Sequence, residues 1–94
     1  MSKNIYSQVK KISNDSFGSC DVYTMRPGAV EKKHYHIGIE IVYVIEGNCK
    51  THKQGQTYVY QKGQVHEVIN DSKNKLVFVC LTIPPESKEN TVYI

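Results

Sequence analysis

Four side chains of this 94-residue chain could do chemistry together: His34, His36, Glu40 and His66. Alternate residues of an extended strand share a face, so His34 and His36 of "HYH" project to the same side. Two imidazoles presented together make half of a metal site. Glu40 follows four residues later. A bend at Gly38, where no side chain obstructs the chain, would return its carboxylate to that face. His66 opens "HEVIN" and shares its parity with Val68 and Asn70, which sets a third imidazole inward beside an apolar neighbour. Buried histidine and glutamate are costly unless paired or metal-bound. The HxHxxxE spacing by itself arises by chance in roughly one of several hundred chains of this length. On that half alone, a chance cluster stays open.

The elements that must position these residues are strands almost throughout. "FGSCDVYTMRPG" (17–28) mixes β-branched and aromatic residues and ends on a Pro-Gly turn signal. "HYHIGIEIVYVIEG" (34–47) is rich in Ile, Val and Tyr, with a bend at Gly38 and a stop at Gly47. "QTYVY", "QVHEVIN" (64–70) and "KLVFVCLTI" (75–83) follow, separated by Gly-rich or polar turns, and Pro84-Pro85 stops the last. Strands recurring every 8–12 residues predict an all-β antiparallel sandwich or barrel. The first dozen residues are the one helix candidate, on a weak pattern, and Val92, Tyr93 and Ile94 could anchor a final strand.

Composition bounds the rest. With 39% hydrophobic and 22% charged residues, the chain has the make-up of a globular protein, one domain over 1–94 with a thin core. No apolar run approaches the ~18–20 residues of a membrane span. "MSKNIYSQVKKISN" lacks the apolar segment of a secretory signal, so the expected address is cytoplasmic. Cys20, Cys49 and Cys80 are odd in number and far apart, as free thiols in a reducing compartment are. The net charge of +3 comes from scattered lysines and one arginine, Arg26, which form no basic stripe; no nucleic-acid partner and no membrane partner is expected.

The second half of the pattern is "GQTYVYQKGQVHEVIN" (55–70). Residues 28–47 resemble the first cupin motif, G(X)5HXH(X)3–4E(X)6G, with Gly28, His34, His36, Glu40 and Gly47 in place. Residues 55–70 resemble the second, G(X)5PXG(X)2H(X)3N, with Gly55, Gly63, His66 and Asn70 in place. Gln61 stands where that family has proline, which should soften the turn before the strand of His66. The resemblance implies a small antiparallel β-barrel of jelly-roll type, a single cupin-like domain. It also implies one divalent metal held by His34, His36, Glu40 and His66, and a homodimer.

Three imidazoles and a carboxylate suit Fe(II), Mn(II), Ni(II), Cu(II), Co(II) or Zn(II) and disfavour Ca(II). All four groups bind deprotonated, so affinity should fall as pH drops through the histidine range. The favoured function is a metal-dependent enzyme on a small-molecule substrate, of dioxygenase or isomerase/lyase type; the alternative is a non-catalytic small-ligand-binding module. Among the other polar residues, Asn70 is expected to bond the backbone at its strand end and His52 to be solvated in a polar turn. Tyr43, Tyr58, Tyr60, Gln56, Gln64 and Glu67 are expected to be half-exposed strand residues. Arg26 could bind an anion, and Cys80's parity leaves its face open.

Overall fold

A computed structural model describes residues 5–94, apart from the side chain of Lys88. Eight strands follow in order: β1 (Tyr6–Asn14), β2 (Ser19–Met25), β3 (Val30–His36), β4 (Ile39–Glu46), β5 (Thr57–Tyr60), β6 (His66–Ile69), β7 (Leu76–Ile83) and β8 (Thr91–Tyr93). A single 3-10 turn, Lys88–Asn90, leads into β8. The helix expected over the first dozen residues is absent from its described part. Residues 6–12 belong to β1, because pairing along β2 supplies backbone partners that a weakly amphipathic segment could not supply by itself. Residues 1–4 of that segment lie outside the described residues. No helix among the described residues is long and apolar enough to cross a membrane.

The strands form two antiparallel sheets, one ordered β1-β2-β7-β4-β5 and the other β6-β3-β8. This is the all-β jelly-roll architecture expected, although the two sheets do not close into one hydrogen-bonded ring. Period-two patterning decides which face turns inward. Along β2, Ser19, Asp21, Tyr23 and Met25 are buried; along β7, Leu76, Phe78, Cys80 and Thr82 are buried; β4 contributes Glu40, Val42 and Val44. Register lines these residues up across the sheet: Tyr23 with Phe78 and Val44, Asp21 with Cys80 and Val42, Ser19 with Thr82 and Glu40. Met25, Val44 and Leu76 are completely buried, each a gain of about 1.5–3 kcal/mol. One end of the core is therefore hydrocarbon, and the end carrying Glu40 is polar.

Local devices hold both ends, Asn70 beside Met25 at the hydrocarbon end and Gln61 beyond Tyr60 at the polar end. The Asn70 amide donates to the carbonyls of Arg26 (3.1 Å) and Asn74 (2.9 Å), and its Oδ1 accepts from Ser72. Gly28 N–H donates to Asn70 O at 2.7 Å, so the start of one motif is tied to the end of the other. At Gln61 the turn is pinned rather than softened. Gln61 N–H donates to Gln64 Oε1 and Gln64 N–H to Gln61 O, both at 2.9 Å. A proline at 61 could not make the first of these bonds.

Candidate metal centre

The four motif residues meet between the two sheets. β3 carries His34 and His36 on one face, and its pairing with β6 sets His66 directly opposite His34. Glu40 comes from the facing five-stranded sheet, two residues after the bend at Gly38. One ligand atom from each of His34, His36, Glu40 and His66 lies within 4.8 Å of all the others. His34, His36 and Glu40 are buried and His66 is half-buried.

Each imidazole is oriented by its outer nitrogen. His34 Nδ1 lies 2.6 Å from Lys32 O, and His66 Nδ1 lies 3.1 Å from Gln64 O, in both cases the carbonyl two residues upstream. A carbonyl only accepts, so both rings carry a proton on Nδ1, and a bound metal would meet the lone pair of each inward-facing Nε2. His36 Nδ1 is 3.1 Å from Thr91 Oγ1, and the Thr91 hydroxyl reaches Glu86 Oε2 at 3.5 Å. Such outer partners commonly govern metal affinity 10–100-fold. Thr91→Val, which keeps the shape and removes the acceptor, should weaken metal binding by about tenfold in a competition titration with a chromophoric chelator. An unchanged affinity would show that the bond to Thr91 does not orient His36.

The inward atoms crowd one carboxylate oxygen. Glu40 Oε1 lies 2.9 Å from His66 Nε2 and 3.2 Å from His36 Nε2. The second contact lacks hydrogen-bond geometry, and His36 Nε2 is left buried without a partner. Burial would raise Glu40's pKa, but the two imidazoles outweigh it and hold the carboxyl well below its usual range. Burial would likewise lower His36, and Glu40 reverses that to a net rise. For His34 desolvation prevails and the ring is pushed towards neutrality. A centre that favours an ionised carboxylate and leaves an imidazole lone pair unsatisfied has the electrostatics of a cation site. The His34, His36, Glu40 and His66 group could hold a metal ion.

The residues around it correct several expectations. His52 is not solvated: it is 1% exposed, with Nε2 2.7 Å from Tyr60 Oη and Nδ1 2.7 Å from Thr51 Oγ1. The turn that carries it folds inward, and a neutral imidazole satisfies both partners as one donor and one acceptor. Tyr60 is more than a half-exposed strand residue. Its register opposite Glu40 turns it to the inner face, where its ring stacks on His66 at 3.8 Å and 6°. Cys80 faces inward and is buried, and desolvation pushes its thiol up, which makes it a poor nucleophile. Arg26 is exposed and does not line the cavity beside the site. That cavity, of about 50 Å³, is also lined by Tyr6, Glu31, Glu86, Thr91 and Tyr93, none of which motif spacing singled out.

Burial lowers His52 from an ordinary 6.5 to about 4. The unfolded chain takes up this proton as pH falls below 6.5, while the folded chain refuses it until about 4. The stability that His52 contributes is thus complete above pH 6.5 and lost between 6.5 and 4, roughly 3 kcal/mol in all. Melting of the chelator-treated protein should fall steeply over that window and less steeply in His52→Gln. Parallel profiles would show that His52 is not the group responsible.

A cupin domain family model matches residues 21–82, from within β2 to the penultimate residue of β7. The chain belongs to the cupin family. Among solved structures, this cupin is similar to a conserved protein with a double-stranded β-helix domain from Klebsiella pneumoniae, at TM-score 0.79 and 20% identity over 98% of this chain and 87% of that one. It is similar to KdgF from Halomonas sp., at TM-score 0.69 and 19% identity over 87% of this chain and 81% of that one. It is also similar to the DMSP lyase DddQ from Ruegeria pomeroyi, at TM-score 0.74 and 13% identity over 99% of this chain but 55% of that one. At these identities the likeness is one of fold. Comparison with curated proteins returns no match.

Proposed function

We propose that this cupin is a metal-dependent enzyme acting on a small molecule, with His34, His36, Glu40 and His66 holding one divalent transition metal from the series Fe, Mn, Ni, Cu, Co and Zn. The observation that carries this reading is the convergence of the four ligand atoms beside a cavity rather than inside solid packing. When bound, such a metal acts as a Lewis acid and orients reactants, in a dioxygenase or an isomerase/lyase reaction. The protein's own part is to hold three Nε2 lone pairs inward, keep Glu40 ionised, and confine the substrate. A cavity of about 50 Å³ admits roughly four water-sized groups, which limits the reacting portion to a few non-hydrogen atoms. A lyase among the structural neighbours agrees with the isomerase/lyase arm.

The test is elemental analysis of untagged protein purified without chelators, followed by oxygen-consumption screening for a redox metal or lyase and isomerase assays for zinc. Near-stoichiometric metal with turnover supports the enzyme. A tightly held metabolite without turnover would favour the ligand-binding module. One feature favours that second reading: the Tyr6 and Tyr93 hydroxyls are both already committed to Glu31.

The enzyme is read as a cytoplasmic homodimer. Its support is the outer face of the five-stranded sheet, where Ile39, Tyr43, Ile45, Val59 and Leu81 are each 39–47% exposed. Val59 and Leu81 flank Ile41 in adjacent strands and form one apolar patch. Val59→Lys with Leu81→Lys should convert a dimer to a monomer in light scattering while leaving metal content unchanged. A monomeric parent protein would end this reading.

A further inference from the structure

The cavity has two chemically different halves. One is the inward face of the three histidines with Glu40. The other is an aromatic wall in which Tyr6 lies 4.8 Å from Tyr23, and Tyr23 stacks on Phe78 at 5.4 Å and 22°. Glu31, 7% exposed, also lines the cavity and accepts from the hydroxyls of Tyr6 (3.3 Å) and Tyr93. Glu86 adds a third, solvent-exposed carboxylate. No Lys or Arg lines the cavity among the described side chains. His36 Nε2, buried and without a hydrogen-bond partner, is on the same lining.

Charge and shape converge on one class of ligand. Three carboxylates exceed the charge of a divalent ion by one, so the cavity remains negative whether or not a metal is bound. Carboxylates with low access to water need a positive or donating partner, and two phenols satisfy Glu31 only in part. Aromatic faces attract cations, most strongly where water is excluded. A carboxylate or phosphate ligand would find no lysine or arginine to pair with; an ammonium group would find Glu31 beside aromatic rings.

We infer that this cavity selects a small organic cation, a protonated amine carrying a hydroxyl, over anions of the same size. The ammonium group sits between Glu31 and the aromatic wall, and the hydroxyl points to the histidine side. The placement of the hydroxyl rests on the metal reading above; the charge preference does not.

The test compares ethanolamine, ethylene glycol and glycolate at fixed neutral pH, by NMR titration of metal-loaded and chelator-treated protein. Metal content is measured separately by elemental analysis. Ethanolamine should bind at least about tenfold more tightly than glycolate in both states, with ethylene glycol between them. Glu31→Gln should reduce that preference about tenfold at unchanged metal content. Glu86→Gln, at an exposed position where folding is not at risk, should reduce it about threefold. Glycolate binding as tightly as ethanolamine in either state overturns the inference, as does failure of all three probes to bind. A retained cation preference in a protein that takes up no metal supports the inference and overturns the metal reading alone.

Discussion

A double variant, His34→Ala with His66→Ala, should retain its fold and purify with no metal, where the parent carries close to one ion per chain. The two residues face each other across the β3–β6 ladder, so the variant opens one side of the site while leaving His36 and Glu40 in place. Structural four-ligand zinc sites bind with about 10–16 kcal/mol, or about 3 kcal/mol per ligand, and on that scale two lost ligands should cost on the order of 10⁴-fold in affinity. The parent should also melt higher with metal than without. At a free metal concentration a thousand times Kd the gain is about 4 kcal/mol, which for a domain of this size is roughly 20 °C. The variant should show no such rise. Equal metal content in both proteins would place any bound ion elsewhere and remove the basis of the proposed function.

The second large effect is expected at Gly38, which neither binds nor reacts. A Cβ built there would run into the Ile83 carbonyl oxygen and Pro84 Cδ, so the end of β7 passes against the bend between β3 and β4 with no room for a methyl group. The obstacle is largely backbone, which cannot rotate aside. Gly38→Ala should therefore cost about 3 kcal/mol, the upper end for overpacking, and lower Tm by roughly 15 °C. It should also weaken metal binding, because the bend sets Glu40 against His36. Gly28→Ala is the control: Gly28 has φ +79° but no atom within 4 Å of a built Cβ, so it carries backbone strain without collision. Its cost should be about 1–2 kcal/mol, with metal affinity retained. Equal effects of the two substitutions would mean that backbone strain, not the close approach of β7, explains Gly38.

The residues that were legible in the sequence are those whose placement depends on local periodicity. The alternation of β2, β4 and β7 and the spacings of His34, His36, Glu40 and His66 are properties of short segments, and the structure brings those four residues together. Parity failed where the chain is irregular. Glu31 has the opposite parity to His34, which should send it to the other face. A β-bulge between them, marked by exposed Lys32 and Lys33, returns it to the same side. His52 failed for another reason: its polar neighbours suggest solvent, and only the inward fold of residues 49–52, with Tyr60 turned towards it, buries the ring.

By itself, then, the sequence determined the all-β architecture and the four inward donors, because both follow from side-chain alternation and from ligand types at fixed spacing. Tertiary structure alone decided what surrounds them. Tyr6 lies at the start of β1, while Thr91 and Tyr93 lie on β8 opposite His36 and His34, far from the motifs in the chain. Strand order and register join them to Glu31 and Glu86 as one acidic, aromatic cavity. Such long-range pairings depend on which edges meet, and no local pattern of residues encodes that.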